Sequence, residues 1–242
     1  MALRIADRAA RLVERLLLRI FGWDQVSRSF VRPKTSMVFL GSPYGGWTIP
    51  DRLFSARSIC YCVGVGEDIT FDLALIRHFD SQVFAFDPTP RAITFVDGQT
   101  GLPPSFRFMA VGLWNADTTM RFYEPKNPSY VSHSIVNLKR TEKFFEAPCR
   151  RLSSLMNELG HRQLDLLKLD IEGAEYQVID SIIQDAIPIR VLCVEFDETN
   201  SPLDRDYRRR IRDSIRLLGD RNFYLAARSG RGNFTFINSS FA

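Results

Sequence analysis

Apolar runs alternate with amphipathic segments along most of the chain. Four apolar runs are typical of strands buried on both faces of a parallel sheet, at residues 59–63, 83–86, 164–169 and 190–196. Apolar residues recur at helical spacing over 174–185 and 205–218, and a shorter helix over 152–159 ends at Gly160. Strands that alternate with helices predict an α/β fold with a largely parallel sheet.

Turn signals divide the remaining segments. A strand is predicted at 106–111, followed by an added hairpin strand at 120–123 and a long polar loop at 124–141. A terminal hairpin at 223–227 and 234–237 completes the predicted sheet.

The segment at residues 3–21 has apolar residues at helical spacing and arginines on the other faces. This pattern predicts an amphipathic basic helix within residues 1–25, followed by a lead-in or lid segment at 26–56 and an α/β domain at 57–242. Two interpretations of the helix remain open. It docks on its own domain or on the second subunit of a homodimer, or it makes peripheral contact with an anionic membrane surface. No uncharged run reaches about 18 residues, so we expect no membrane span.

Composition narrows the function classes. The 242 residues include 45% apolar side chains, enough for one large core, and the formal net charge is +4 with a pI of about 9.0. Because 32 basic and 28 acidic residues are well mixed, the charge does not favour a nucleic-acid partner. The four cysteines show no CxxC spacing, and we interpret them as small buried side chains in a reducing compartment, the cytoplasm.

A glycine turn, Gly-Val-Gly at residues 64–66, follows the first apolar run. Because glycine lacks a Cβ atom, such a turn lets the backbone approach a ligand closely. Asp87 ends the second run 23 positions after Gly64, near the spacing at which a carboxylate meets the ribose hydroxyls of a bound adenosine. The two stretches together predict a nucleotide-binding geometry.

The residues after the turn restrict the ligand. Ile69 stands where a dinucleotide fingerprint has its third glycine, so a pyrophosphate is not favoured. Glu67 and Asp68 would repel a diphosphate but suit a positively charged ligand such as S-adenosylmethionine.

Carboxylates also end two later strands. Asp170 and Glu172 follow the run at 164–169, and Glu195 closes the run at 190–196. Because the carboxyl ends of parallel strands lie at one edge of a sheet, we expect these side chains beside the glycine turn.

Three further segments contribute candidates for the same site. Met109 and Ala110, at the end of the predicted third strand, border the expected adenine pocket. His133 lies in the polar loop, where it either contacts substrate or is simply solvated. Tyr44 and Trp47 lie in a turn-rich segment that either covers the cofactor as a lid or is only the end of a hairpin.

These stretches resemble the FkbM family of S-adenosylmethionine-dependent methyltransferases over about residues 59–237. Residues 165–175, Asp-Leu-Leu-Lys-Leu-Asp-Ile-Glu-Gly-Ala-Glu, resemble the family's signature almost residue for residue. The run Phe-Asp-Pro at 86–88 resembles its acidic-proline motif, and Val-Glu at 194–195 resembles its next strand end.

The first motif departs from the family. Where the usual pattern is Asp-Val-Gly-Ala-Asn, residues 62–66 read Cys-Val-Gly-Val-Gly. The aspartate that usually contacts the methionine part of the cofactor is therefore missing at Cys62. Glu67 or Asp68 is the expected substitute.

The resemblance implies a class I, Rossmann-like methyltransferase fold, a seven-stranded and mostly parallel sheet with one reversed strand and helices on both faces. It implies S-adenosylmethionine as cofactor and O-methylation of a hydroxyl on a small molecule or sugar. The expected catalytic residues are Asp170, Glu195 and His133. The expected cofactor-binding residues are Val63, Gly64, Val65, Gly66, Glu67, Asp68, Asp87, Pro88, Met109, Ala110 and Asp170.

Three alternatives stay open. A divalent cation held by Asp170, Glu172 and Glu195 is a minority alternative to a site without metal. The chain could instead be a noncatalytic methyltransferase-like scaffold or membrane-surface protein that acts through residues 3–21. An RNA methyltransferase would use the arginine-rich helix face at 208–216.

Overall fold

The computed structural model describes residues 35–126, 132–138, 140–230 and 232–241, so the helix expected at 3–21 lies outside the described residues. The strands are, in chain order, β1 (Met37–Leu40), β2 (Trp47–Pro50), β3 (Ile59–Val63), β4 (Gln82–Phe86), β5 (Phe106–Met109), β6 (Gly112–Leu113), β7 (Thr118–Tyr123), β8 (Phe144–Arg150), β9 (Leu164–Leu169), β10 (Ile189–Glu195), β11 (Phe223–Ser229) and β12 (Asn233–Asn238). The α-helices are α1 (Thr70–Phe79), α2 (Pro90–Asp97), α3 (Leu152–Leu159), α4 (Glu175–Gln184) and α5 (Tyr207–Gly219). Short 3₁₀ helices occupy Asp197–Thr199 and Ser239–Phe241.

The central sheet has seven strands in the order β11-β12-β10-β9-β3-β4-β5. The pairings from β10 through β5 are parallel, whereas β12 is antiparallel to both of its neighbours. The mostly parallel sheet with one reversed strand is confirmed. Its central strand β9 is buried along its whole length, as expected for a strand with helices on both faces.

Two apolar layers cover the sheet. On one face, α1, α2 and the hairpin β1–β2 pack against alternate residues of the central strands, with Phe71, Leu75 and Val96 among the buried side chains. On the other face, α3, α4 and α5 bury an apolar layer that includes Leu155 and Ile182. The apolar stripes of the helices therefore explain both layers, because each stripe can be buried only against the sheet.

A smaller sheet, β6-β8-β7, lies outside the central one and was not predicted in this form. The predicted strand at 106–111 is too long, since β5 ends at Met109 and the chain re-enters the small sheet at Gly112. The antiparallel pairing of β7 with β8 was missed. Pro148 lies inside β8, and a proline within a run normally argues against a strand.

Within the described ranges, no helix is both long enough and apolar enough to span a lipid bilayer.

Candidate active site

Three strand ends meet at one cleft on the carboxyl edge of the central sheet. Its lining comes from the segments after β3, β4 and β9, from the small sheet and the loop beside it, and from the tip of the β1–β2 hairpin. The lining residues are Tyr44, Val63, Gly64, Val65, Gly66, Glu67, Phe86, Asp87, Pro88, Thr89, Gly112, Leu113, Phe122, Ser132, His133, Ile135, Asp170, Ile171 and Glu172. The structure brings Gly64, Asp87 and Asp170 together at this cleft, as the sequence predicts.

The glycine turn after β3 requires its first glycine. Gly64 has a φ of +86°, and a Cβ atom at this position would lie 1.8 Å from the carbonyl oxygen of Asp170. The Gly64 amide donates to the carbonyl oxygen of Phe86 at 2.9 Å, which ties the turn to the end of β4. The absence of a side chain therefore lets the ends of β3 and β9 approach each other and leaves the backbone open to the cleft.

Asp87 holds the glycine turn from the neighbouring strand end. Its Oδ2 accepts hydrogen bonds from the amides of Val65 and Gly66, each at 2.9 Å, and its Oδ1 accepts from the Thr89 amide at 2.8 Å. The side chain is only 6% exposed, and because Oδ2 already accepts two hydrogen bonds, the lone pair left for a ligand hydroxyl is on Oδ1. Asp87 therefore organises the turn in addition to its predicted role toward ribose.

Lys168 lies below the turn and was not singled out from the sequence. Its Nζ donates to the carbonyl oxygen of Gly64 at 2.6 Å and lies 3.2 Å from Oδ2 of Asp170. A lysine inside the fully buried strand β9 was the available signal, because an ammonium is buried only when it is paired. Asp170 is thus held by an ion pair at the mouth of the cleft.

Glu195 lies behind Asp170 at the end of β10 and does not line the cleft directly. Burial raises the pKa of Glu195 to about 8, with Asp170 and Glu172 acting in the same direction. Burial also raises the pKa of Glu175 to about 8 and that of Asp197 well above its ordinary value. The carboxylates predicted at this edge do come together, and burial together with the charges of Asp170 and Glu172 favours the protonated form of Glu195.

The small sheet and the loop beside it build a wall that sequence reasoning did not anticipate. Gly112, Leu113, Phe122 and Ile135 line the cleft, whereas the predicted Met109 and Ala110 lie outside the lining. The residues predicted to border the cleft at the third strand end therefore lie too early in the chain. β5 ends at Met109, and the backbone reaches the cleft wall only at β6.

His133 belongs to the same wall. It lines the cleft, and its ring meets that of Phe145 edge-on at 5.3 Å between centroids.

The tip of the β1–β2 hairpin closes one side of the cleft. Tyr44 lines the cleft although it is 82% exposed. Trp47 is different, since it is 2% exposed and packs in the core rather than over the cleft. Of the two aromatic residues expected in a lid, only Tyr44 is placed to act as one.

A model of the methyltransferase FkbM domain matches residues 52–222. The chain belongs to the FkbM methyltransferase family. Probable methyltransferase-like protein 24 of Rattus norvegicus is 26% identical over 123 residues, which make up 51% of this chain and 28% of that protein. The chain thus matches less than a third of the length of this curated relative.

Two solved structures are similar to the FkbM chain at low identity. A fibrillarin/Nop5p complex gives a TM-score of 0.45 at 7% identity, covering 76% of this chain and 72% of that chain. Aeropyrum pernix fibrillarin, solved with natively bound S-adenosyl-L-methionine, gives 0.39 at 10% identity, covering 76% and 66%. Neither likeness identifies an acceptor for this chain.

The cofactor of the FkbM chain is S-adenosylmethionine, and the cleft residues fit it. Gly64 lines the cleft without a side chain, and buried Asp87 lies beside it with Oδ1 as a hydrogen-bond acceptor. The enclosed volume is about 100 Å³, below the roughly 300–1,000 Å³ of pockets that bury drug-sized ligands. Binding the whole cofactor therefore requires side chains at the mouth to move, and exposed Tyr44 is placed to do so.

The two expected substitutes for the family's missing aspartate, Glu67 and Asp68, lie in different surroundings. Glu67 lines the cleft, but Arg91 binds its carboxylate through Nε at 3.1 Å and Nη2 at 2.7 Å. Asp68 accepts from the Thr70 amide at 2.8 Å and from the Ser42 hydroxyl, so it fastens the hairpin tip to the start of α1. Asp68 does not line the cleft.

Among the described residues, no group of three or more histidine, cysteine, aspartate or glutamate side chains is arranged to hold a metal ion.

Proposed function

We propose that the FkbM chain transfers a methyl group from S-adenosylmethionine to a hydroxyl of a small molecule or sugar. The observation that supports an acceptor of this kind is the charge of the cleft. Its described lining contains four carboxylates, those of Glu67, Asp87, Asp170 and Glu172, and neither lysine nor arginine. A phosphate-rich acceptor would meet repulsion at this mouth, whereas a neutral hydroxyl compound would not.

S-adenosylmethionine, when bound, supplies an electrophilic methyl group, because the sulfonium is a good leaving group. The chain's part is to bind, orient and move one proton. Asp87, which orders the turn at residues 64–66, holds the adenosyl end through Oδ1, while Asp170, fixed by Lys168, orients the reacting end. Alignment of this kind supplies about 7–11 kcal/mol in favourable cases.

Glu195 is the proposed general base. Its raised pKa of about 8 makes it a stronger proton acceptor than an ordinary glutamate, and it lies at the edge where Asp170 and Glu172 face the cleft. Because Glu195 does not line the cleft itself, the proton of the acceptor hydroxyl passes to it through a bridging water as the oxygen forms its new bond to carbon. His133, on the opposite wall, is the second candidate for this proton.

The test begins with binding. Isothermal titration calorimetry with S-adenosylhomocysteine should show saturable binding to the folded protein. Asp87→Ala should weaken it by about 10-fold or more, because hydrogen bonds to a charged group are worth about 1.5–3 kcal/mol. Asp97→Ala, an exposed carboxylate at the end of α2, is the matched control and should bind like the parent protein. Absence of saturable binding to folded protein would refute the enzyme and favour a noncatalytic scaffold.

The acceptor is tested by methyl transfer from isotope-labelled cofactor to sugars, small alcohols and RNA. RNA is the second candidate, since the side chains of Arg209 and Arg216 on α5 are 74% and 76% exposed, although each is paired with Asp213. Transfer to hydroxyl compounds alone supports the proposal. Transfer to RNA that weakens with added salt would replace it.

A further inference from the structure

Position 62, where the family pattern has aspartate, lies directly opposite Lys168. In the parallel pairing of β3 with β9, Cys62 is the partner of Lys168, and both side chains are buried, at 1% and 5% exposure. Cross-strand partners on one face of a sheet lie close enough to interact. A carboxylate at position 62 would therefore lie beside the Lys168 ammonium, and this chain has a thiol there instead.

The Lys168 ammonium needs compensating charge. Its contacts are the Gly64 carbonyl oxygen at 2.6 Å and the Asp170 carboxylate at 3.2 Å. Removing an ammonium from water costs several kcal/mol unless its partners offset that cost. Because Asp170 is also expected to act in the cleft, a second carboxylate would let Lys168 stay charged and hold the Gly64 carbonyl in place.

Asp72 is a carboxylate in an unexpected place. It lies in the first turn of α1 on the face that packs on the sheet, where its buried neighbours on the helix include Phe71 and Leu75. It is 2% exposed, its Oδ1 has no hydrogen-bond partner, and it lies close enough to Cys62 and Lys168 to shift the pKa of both. A buried carboxylate on an apolar helix face is costly unless an opposite charge is near.

We propose that Asp72 supplies from α1 the carboxylate that the family has at position 62, and that it positions Lys168 under the cofactor-binding turn. The Cys62 thiol fills the vacated position. Asp72 is thus a positioning residue for S-adenosylmethionine, and it acts through Lys168 and the Gly64 carbonyl. The inference rests on the cofactor site and is independent of the acceptor.

The titration behaviour of the three groups agrees with this arrangement. Burial raises the pKa of Asp72, and Lys168 opposes that rise. Burial lowers the pKa of Lys168, but Asp170 and then Asp72 together bring it above its ordinary value. Burial and then Asp72 raise the pKa of the Cys62 thiol well above its usual range, so the thiol keeps its proton.

The experiment moves the carboxylate from position 72 to position 62. Binding of S-adenosylhomocysteine is measured by calorimetry, and folding by circular dichroism, for Asp72→Asn, Cys62→Asp and the double variant Cys62→Asp/Asp72→Asn. We expect Asp72→Asn to weaken binding about 10-fold or more and the double variant to recover affinity to within about threefold of the parent. Cys62→Asp alone should not improve binding, since it places a third carboxylate around one ammonium.

Asp80→Asn, the same change at the exposed end of α1, is the matched control and should leave binding unchanged. The proposal is overturned if folded Asp72→Asn binds like the parent, or if the double variant binds no better than the single one. A double variant that fails to fold also overturns it, because a relocated charge should restore the site. Failure of the parent itself to bind would instead refute the proposed enzyme.

Discussion

At the scale of single residues, Glu195 shows how position changes chemistry. It ends a buried strand like any polar residue at a sheet edge, but burial and two neighbouring carboxylates raise its pKa to about 8. A glutamate with this pKa holds its proton at neutral pH and becomes an effective base only as the pH approaches 8.

The corresponding prediction concerns the pH profile. We expect kcat/KM of the parent protein to rise with pH up to about 8, and Glu195→Gln to lower kcat by about 10²–10⁴-fold. The amide keeps the size of the side chain but cannot accept the proton. Steady-state kinetics with an identified acceptor, from pH 6 to 9, checks both expectations. A variant with an unchanged rate would transfer the role to His133, whose His133→Asn variant is the companion measurement.

At the scale of elements, the turn between β3 and α1 depends on its glycine for two separable reasons. Gly64 combines a positive φ with a close approach of the Asp170 backbone, whereas Gly101 has a φ of +72° and open space around it. The two positions thus separate conformational strain from steric clash.

Gly64→Ala should lower the free energy of unfolding by at least about 2 kcal/mol, since a clash adds to the strain of a left-handed alanine. Gly101→Ala should cost only about 1 kcal/mol, which is the strain alone. Urea denaturation measures both changes. Equal losses at the two positions would contradict the close packing of β3 against β9.

The elements also show what the sequence can predict. The strand ends that carry Asp87, Asp170 and Glu195 follow from apolar runs followed by carboxylates, so this edge of the sheet was predictable. The cleft wall around Phe122 was not predictable, because it depends on the pairing of β8 with β6 and β7. Pro148 lies inside β8, and a proline argues against a strand in the sequence. Tertiary pairing of short strands leaves little local pattern.

The buried charged residues are likewise only partly predictable from the sequence. Lys168 is visible in the sequence as a lysine in an apolar run, but its partners come from other elements. Asp72 reads as an ordinary polar residue near a helix start, and only the packing of α1 on the sheet reveals its burial.

At the scale of the whole molecule, buried carboxyl groups couple stability to pH. The pKa of Glu175 is about 8 in the folded protein against an ordinary value of 4.5. Between these values the folded state holds a proton that the unfolded state has released. The free energy of unfolding therefore falls as the pH rises from about 4.5 to 8, by up to about 1.4 kcal/mol per pH unit for one such group.

Glu175→Gln should remove this dependence. The Gly173 amide donates to Oε1 of Glu175 at 2.9 Å, and the glutamine oxygen can accept the same bond. We expect the variant to be more stable than the parent by on the order of 2 kcal/mol at pH 8.5, with the gain shrinking toward pH 4.5. Urea denaturation at pH 5 and pH 8.5 tests this, with exposed Glu142→Gln as control. A difference that is the same at both pH values would argue for altered packing instead.

The position of β12 between β10 and β11 has a consequence for biosynthesis. A nascent chain can pair strands up to β10 as they leave the ribosome. β11 pairs with the sheet only through β12, so it cannot join the sheet until β12 has been synthesised. Translation from Glu195 to Asn238 takes roughly 2–9 s at about 5–20 residues per second. Throughout that interval β10 has an unpaired edge, and an unpaired strand edge is a site at which a chaperone or an aggregating chain can bind.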